Sequence, residues 1–208
     1  MIDAKCKKCR RAGEKLFLKG ERCFSSKCAM VRNSLPPGPN IRKNRRGGFS
    51  EYGKQMKEKQ RLRIFYGLRE KQFSNYVHKA LAKKDVDKSE FLVRNLETRL
   101  DNVIYRLGLA KSRVQGRQIV NHGHVLVNGK KVSIPSFSVK PNDVIELKPA
   151  FKGSPLIESQ KAMIKKVNQP SWLNLDKETF EGKVINYPDQ NDMEELGRVQ
   201  SILEFYSR

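Results

Sequence analysis

The run Arg99-Leu100-Asp101-Asn102-Val103-Ile104-Tyr105-Arg106-Leu107-Gly108, followed by Ser112-Arg113, Gln118, His122-Gly123-His124 and Val127-Asn128-Gly129, joins a helical pattern to a hairpin within thirty-one residues. Leu92, Leu96, Leu100, Val103 and Leu107 recur at steps of three and four. That period places them on one apolar stripe of a helix, so the spacing predicts one helix from an N-cap at Ser89 to a stop at Gly108. Ser112 can cap a short helix over Arg113–His122, ended by Gly123. The period then drops to two. Val125 and Val127 alternate, Asn128-Gly129 is a strong hairpin signal, and Lys131-Val132 begins the return. Val144–Leu147 reads as a further strand. The segment Glu97–Lys148 is therefore helix, tight turn, helix, hairpin.

Toward the N-terminus, a densely basic helix is predicted over Ser50–Tyr66, stopped by Gly67, and another over Glu70–Lys83. Phe73, Tyr76, Val77, Ala80 and Leu81 form the buried stripe of the second. Leu35-Pro36-Pro37-Gly38-Pro39 forbids regular structure, because each proline fixes φ and lacks a donor. Ile41–Gly48 is basic, Gly-rich and linker-like. Toward the C-terminus, Pro155–Val167 reads as helix and Lys183–Tyr187 as strand. Trp172 reads as a packing residue. Glu194–Tyr206 is undecided: Leu196, Val199, Leu203 and Tyr206 fit a helix, while β-branched residues weigh against one.

The chain carries 43 Lys+Arg against 22 Asp+Glu, a formal net charge of +21. Such an excess repels itself unless a polyanion neutralises it, which points to nucleic acid or an acidic membrane. It is unevenly placed: residues 1–66 hold 19 basic and 5 acidic residues. No run approaches the roughly 18 apolar residues of a spanning helix, and no apolar segment follows the basic start as a signal peptide would require. The expectation is a cytoplasmic protein with reduced thiols.

All four cysteines fall within 23 residues as Cys6-x2-Cys9-x13-Cys23-x4-Cys28. Two close pairs, each expected on a turn, supply the four soft tetrahedral ligands that Zn²⁺ prefers. An iron–sulfur cluster uses the same donors. A disulfide is disfavoured in the cytosol, and four unrelated thiols are disfavoured by the clustering. Gly13 and Gly20 permit tight turns between the pairs. Four thiolates leave no open position for a substrate, so the expected site is structural.

The candidate RNA-binding residues lie in four places. The module contributes Arg99, Arg106, Lys111, Arg113, Arg117, His122, Lys130 and Lys131. Arg99 and Arg106, seven apart on the expected single helix, would share a flank, and Arg113 and Arg117, four apart, a face. Gly116 between them would let a backbone approach closely. The basic helix contributes Lys59, Arg61 and Arg63, the arm Arg10 and Arg11, and the linker Lys43, Arg45 and Arg46. A single surface cation is ordinarily just solvated; the grouping is what suggests a binding face.

The quoted module residues resemble the RNA-binding module named after bacterial ribosomal small-subunit protein four, which also occurs in some tRNA synthetases and pseudouridine synthases. The resemblance extends over nearly the whole chain. It includes Cys23-Phe24-Ser25, Lys27-Cys28-Ala29-Met30, Pro36-Pro37-Gly38, Glu58-Lys59-Gln60-Arg61-Leu62-Arg63, Tyr66-Gly67, Glu70-Lys71-Gln72-Phe73, Pro170-Ser171-Trp172-Leu173 and Glu204-Phe205-Tyr206-Ser207-Arg208. The Asn40–Gly48 linker looks short for that family, and Met1-Ile2-Asp3-Ala4 replaces its usual opening. The resemblance implies an α+β fold: a zinc-knuckle arm with its linker over 1–46, a helical domain over 47–90 completed by 178–208, and an RNA-binding domain over 91–177 containing the module 97–160. It implies a ribosome-bound role on a junction in the 5′ domain of 16S rRNA, bound early in assembly. It further implies contact with ribosomal small-subunit protein five at an interface tied to decoding accuracy, and it allows a second role as a translational repressor.

No enzyme is expected, and no small-molecule substrate. Pseudouridine synthases carry a catalytic Asp in an Arg-Leu-Asp context. Here Asp101 is followed by Asn102-Val103-Ile104 without the Thr and Gly of such a site, and no catalytic domain remains. There is no Walker-type phosphate loop. His122 and His124 read as capping or phosphate-contacting residues rather than metal ligands.

Overall fold

The protein is described by a computed structural model that covers residues 5–38, 50–84, 86–160, 164, 169–189 and 196–207. Two compact units emerge, Met1–Ser89 with Glu195–Arg208, and Glu90–Glu194. The arm thus belongs to the first unit. The segment 178–189, expected to complete the helical domain, falls in the second, because its strand is taken up by that unit's sheet.

In the first unit, α1 (Lys5–Ala12), a 3-10 turn (Gly20–Cys23) and α2 (Ala29–Arg32) make up the arm. Gly13 and Gly20 hold the positive φ values its turns require, +84° and +61°. The basic helix α3 (Glu51–Phe65) starts at Ser50, whose hydroxyl accepts from the Gly53 N–H at 3.2 Å, and gives way to Gly67 at φ +64°. Helix α4 (Glu70–Leu81) buries Phe73, Val77 and Ala80. The undecided C-terminal segment is a helix, Leu196–Ser207, packed on α3 and α4. Val199, Ile202 and Leu203 are buried along it, and that tertiary packing overrides the modest cost of β-branching.

In the second unit the expected single helix is two: α5 (Lys88–Glu97) and α6 (Leu100–Arg106). Its start is capped not by Ser89 but by Asp87, whose carboxylate accepts the Ser89 N–H at 2.8 Å. The break at Thr98-Arg99 is a change of backbone partner. The Thr98 carbonyl accepts from Val139 N–H at 2.9 Å, Leu100 N–H donates to Phe137 O at 2.8 Å, and Arg99 bridges to Ser138. The apolar stripe survives on both sides of the break, with Leu92, Leu96, Leu100, Val103 and Leu107 all fully buried. Periodicity alone could not reveal it.

Helix α7 (Arg113–Asn121) is capped by Ser112, which accepts from Gln115 N–H at 3.3 Å. The hairpin β1 (Val125–Val127) to β2 (Lys130–Val132) turns on Asn128 and Gly129 at φ +51° and +75°, the type I′ geometry. The Asn128 side chain also accepts from Val144 N–H at 2.8 Å, tying the turn to β3 (Val144–Leu147). Short helices α8 (Pro149–Lys152) and α9 (Pro155–Glu158) follow; most of the remainder of the helix expected to Val167 lies outside the described residues.

Strands β4 (Leu173–Asp176) and β5 (Glu181–Val184) complete an antiparallel sheet of order β2-β1-β3-β5-β4. Strand β4 had no expectation from sequence, and β5 begins two residues before the strand expected over Lys183–Tyr187. Leu107, the residue that ends α6, lies against Gly182: a Cβ there would meet Leu107 Cδ1 at 2.5 Å. Trp172, as expected, packs in the core beside α6, α7 and the sheet.

Candidate nucleic-acid interface

The carboxylates of Glu97 and Asp101 organise the basic residues of the module. Asp101, only 3 % exposed, receives two arginines. Arg99 donates from Nε and Nη2 at 3.1 and 2.9 Å, and Arg117 from the same pair of nitrogens at 2.8 and 2.6 Å. Glu97 takes Arg106 in a two-point clamp at 3.1 and 3.0 Å, and also accepts from Asn102 Nδ2 at 2.7 Å. Asn102 Oδ1 in turn accepts from Arg113 Nε at 2.8 Å, and the Arg113 guanidinium lies over the Tyr105 ring at 4.6 Å. Gly116 makes the arrangement possible. A Cβ at that position would sit 2.6 Å from the Asp101 carbonyl oxygen, so only glycine lets α7 close on the start of α6.

Three guanidinium groups meet two carboxylates and a fourth, that of Arg113, meets the Asn102 amide oxygen, which leaves the node positive. Its members are not equally available. Arg99 is 2 % exposed and wholly internal, whereas the Arg117 side chain is 29 % exposed at its edge. Arg99 and Arg106 do not share a helix flank, because the break at residue 99 separates them. Lys130 and Lys131 stand exposed on the hairpin, with Lys131 lying over Gly123. Lys111 is partly buried, and its N–H donates to Gln115 Oε1 at 2.6 Å. His122 is exposed and packs edge-on to His124 at 5.8 Å, while His124 stacks flat on Phe151 at 4.2 Å. Burial, and then the charges of His122, Lys148 and Lys131, hold the His124 pKa below its ordinary value, favouring the neutral ring.

In the first unit, the cations selected on α3 are paired. Lys59, 8 % exposed, meets Glu70 at 2.5 Å and lies over the rings of Phe205 and Tyr206, 4.8 Å from each centroid. Arg63 reaches the other Glu70 oxygen at 3.4 Å, and Tyr206 donates to Glu70 at 3.0 Å. Arg61 is buried against Glu14 and Glu58, and Glu14 also accepts from Arg198 at 2.9 Å. These three residues therefore clasp the arm, α4 and the C-terminal helix onto α3. Arg11 is exposed, and Arg10 donates to the Leu35 carbonyl at 2.6 Å. Lys43, Arg45 and Arg46 lie outside the described residues.

The four cysteines come together. Cys6, Cys9, Cys23 and Cys28 line one cavity of about 20 Å³ with Leu18, Ala29 and Met30. Cys6 and Cys9 sit one turn apart on α1, so the first pair is on a helix rather than the expected turn; Cys23 closes the 3-10 turn and Cys28 precedes α2. The Lys19 N–H points to Cys23 Sγ at 3.4 Å. Burial raises the Cys9 pKa above its ordinary value despite a hydrogen bond from the Leu16 backbone, and the other three cysteines raise it further. A bound cation would reverse that penalty, and the donor set is that of a structural tetrahedral site. Among the described residues, no three Cys, His, Asp or Glu side chains are gathered tightly enough to hold an ion as they stand.

Known proteins resemble the chain along its whole length. Residues 1–97 match the ribosomal protein S4/S9 N-terminal domain and residues 98–145 the S4 domain. The small ribosomal subunit protein uS4 of Syntrophomonas wolfei is 46 % identical over 206 residues, 99 % of this chain and 98 % of that one. That of Dictyoglomus turgidum is 47 % identical over 205 residues, covering 98 % and 96 %. The chain belongs to the small ribosomal subunit protein uS4 family.

Within this uS4-family chain, Glu97, Asp101, Asn102 and Tyr105 are the site residues that sequence reasoning passed over. A signal was present: Glu97 and Asp101 are the only acids among five cations from residue 97 to 117. Both Asp101 oxygens are taken up by the guanidinium groups of Arg99 and Arg117, so the carboxylate faces the node rather than a substrate cavity. No helix among the described residues is long and apolar enough to cross a membrane.

Proposed function

We propose that this chain is a structural constituent of the small ribosomal subunit, a primary binder of a junction in the 5′ domain of 16S rRNA that helps nucleate assembly. The observation that carries this reading is the net-positive node in which Asp101 and Glu97 hold Arg99, Arg117 and Arg106 and Asn102 holds Arg113, with Lys130 and Lys131 exposed on the adjoining hairpin. A-form RNA hides its base edges, so a protein of this kind reads the positions of phosphates, 2′-hydroxyls and unstacked nucleotides. Arg117 and Arg106 can present guanidinium edges there, while buried Arg113 is held by Asn102 and the Tyr105 ring, and Arg99 positions Asp101 and through it Arg117. Exposed Arg11, Lys130, Lys131 and His122 are assigned to phosphate contact, and Arg10, Lys111, Lys43, Arg45 and Arg46 remain assigned with them. Lys59, Arg61 and Arg63 act chiefly by holding the first unit together.

Contact with ribosomal small-subunit protein five, and its effect on decoding accuracy, rest on family membership; so does repression of translation through the chain's own messenger RNA. The test is a titration of the full chain against 16S 5′-domain RNA and an unrelated RNA of equal length at fixed salt. A marked preference for the 5′-domain RNA is expected; equal affinity overturns the reading. Competition between that RNA and the chain's own messenger tests the repressor role.

We assign Zn²⁺ to Cys6, Cys9, Cys23 and Cys28, with an iron–sulfur cluster as the alternative. The cavity they share and the hydrogen bonds to their sulfurs support the assignment. When bound, the metal would supply cross-linking of α1, the 3-10 turn and α2, not catalysis. Metal analysis of protein purified under reducing conditions is expected to give one zinc per chain. Visible absorbance would indicate a cluster, and absence of both metals would refute the site. Cys9→Ser should abolish metal binding and disorder residues 5–38 while leaving Glu90–Glu194 folded.

A further inference from the structure

Phe24 is the most exposed large apolar side chain among the described residues, at 69 %, and its position is fixed. It follows Cys23 directly, and its N–H donates to Glu21 O at 3.0 Å, so the 3-10 turn holds its backbone. Its ring is stacked on Phe17, centroids 4.9 Å apart at an interplanar angle of 28°. Phe17 itself stands between the buried Leu16 and Leu18 with φ at +49°, a left-handed conformation that bulky residues seldom adopt. The two loops that carry this pair also carry exposed Lys15, Lys19, Arg22 and Lys27, with Glu21 as their one carboxylate. An exposed aromatic face on loops that also carry four exposed cations matches the chemistry of an unpaired nucleotide. The base offers a π-face and an apolar surface, and its flanking phosphates offer negative charge.

We propose that the outer face of the Phe17–Phe24 pair is a stacking platform for one unpaired nucleobase, with Lys15, Lys19, Arg22 and Lys27 receiving the adjacent phosphates. The proposal rests on the RNA-binding reading above and deepens it, giving the arm a contact that distinguishes single-stranded from paired RNA. A protein partner would be expected to bury the apolar edge of the ring without regard to its π-face, and would leave the RNA measurements below unchanged.

The full, metal-loaded chain is titrated with an unstructured single-stranded RNA and with a blunt RNA duplex of the same length at fixed salt. Phe24→Ala is expected to weaken single-strand binding by roughly 5- to 150-fold, the range for loss of one stacked base, and to change duplex binding by less than about twofold. Phe24→Leu keeps an apolar side chain without a π-face and should behave like alanine, whereas Phe24→Tyr should bind like the native chain. Phe24→Trp places an exposed indole on the platform, against the buried Trp172 as background; its emission should be quenched by the single strand and not by the duplex. Native-like binding by Phe24→Leu, equal losses on both RNAs, or an unquenched Phe24→Trp would overturn the platform. If the native chain binds neither RNA, the failure lies with the RNA-binding reading itself.

Discussion

In the module, Arg99 lies 2 % exposed in the grip of Asp101; in the arm, Lys15, Lys19, Arg22 and Lys27 stand exposed along thirteen residues that contain a single carboxylate. Both stretches are basic, and charge counting treats them alike. The spacing of the acids separates them. Glu97 and Asp101 fall where α5 ends and α6 begins, so the arginines around them close a polar node within the fold. The arm lacks that density of acids, so its cations remain on the surface for a polyanion. A basic residue's role is thus set less by its own charge than by whether a carboxylate is placed to take it inward.

The comparison breaks most sharply at Asp101. Asp101→Ala would leave Arg99 buried without its counter-charge and release Arg117. Removing one partner of a buried pair costs about 3–5 kcal/mol. Urea unfolding followed by Trp172, the chain's one tryptophan and a core residue of the same unit, should show that loss. A loss under about 1 kcal/mol, the scale of a surface pair, would place the node on the surface side of the comparison. Gly116→Ala probes the same closure sterically. Its Cβ would meet the Asp101 backbone oxygen at 2.6 Å, and such overpacking costs about 1–3 kcal/mol. Gly153→Ala, where nothing lies within 4 Å, should be close to neutral.

The clasp in the first unit gives a smaller effect with a defined pH dependence. Burial would raise the Glu70 pKa, but hydrogen bonds from Lys59 and Tyr206 outweigh it and hold the carboxyl below its ordinary 4.5. A depressed carboxyl pKa adds stability above the unfolded value, which is lost as pH falls through the folded value. Burial would lower the Lys59 pKa, but its bonds to Glu70 and Tyr206 raise it above 10.5, so that contribution holds below 10.5 and disappears at higher pH. Protection of the C-terminal helix from hydrogen exchange, taken relative to the intrinsic rate at each pH, should therefore fall below about pH 4.5 and again in strong alkali. Glu70→Gln should remove the acid limb; persistence of that limb would move the clasp elsewhere.

The elements with strong local signals were legible in the sequence. Ser112 caps its helix, Gly67, Gly108 and Gly123 take positive φ, and Asn128-Gly129 forms the hairpin turn. The spacing of the four cysteines pointed to a common site; they line one cavity, though among the described residues no three are gathered tightly enough to hold an ion. The break at Thr98-Arg99 was not, because its cause is a segment some forty residues onward, Pro135–Val139, and the apolar period runs through it undisturbed. The same break turned Arg99 inward, so an arginine that looked like part of a binding flank became its support. Strand β4 was missed because its Leu-Asn-Leu-Asp alternation is only four residues long and gains its place from pairing with β5. Lys59, Arg61 and Arg63 read as RNA-binding cations because their partners Glu70 and Glu14 lie on other elements of the unit.

The division between inward and outward cations is tested most directly by the salt dependence of binding to 16S 5′-domain RNA, measured for the native chain, for Arg99→Ala and for Lys130→Ala/Lys131→Ala. Removing a cation that neutralises one phosphate should lower the slope of log affinity against log salt by about one. The double lysine variant is expected to reduce the slope by up to about two, with an unchanged melting temperature. Arg99→Ala is expected to lower the melting temperature and, at temperatures where it remains folded, to keep the native slope. A native slope in the lysine variant, together with a reduced slope and an unchanged melting temperature in Arg99→Ala, would contradict the account.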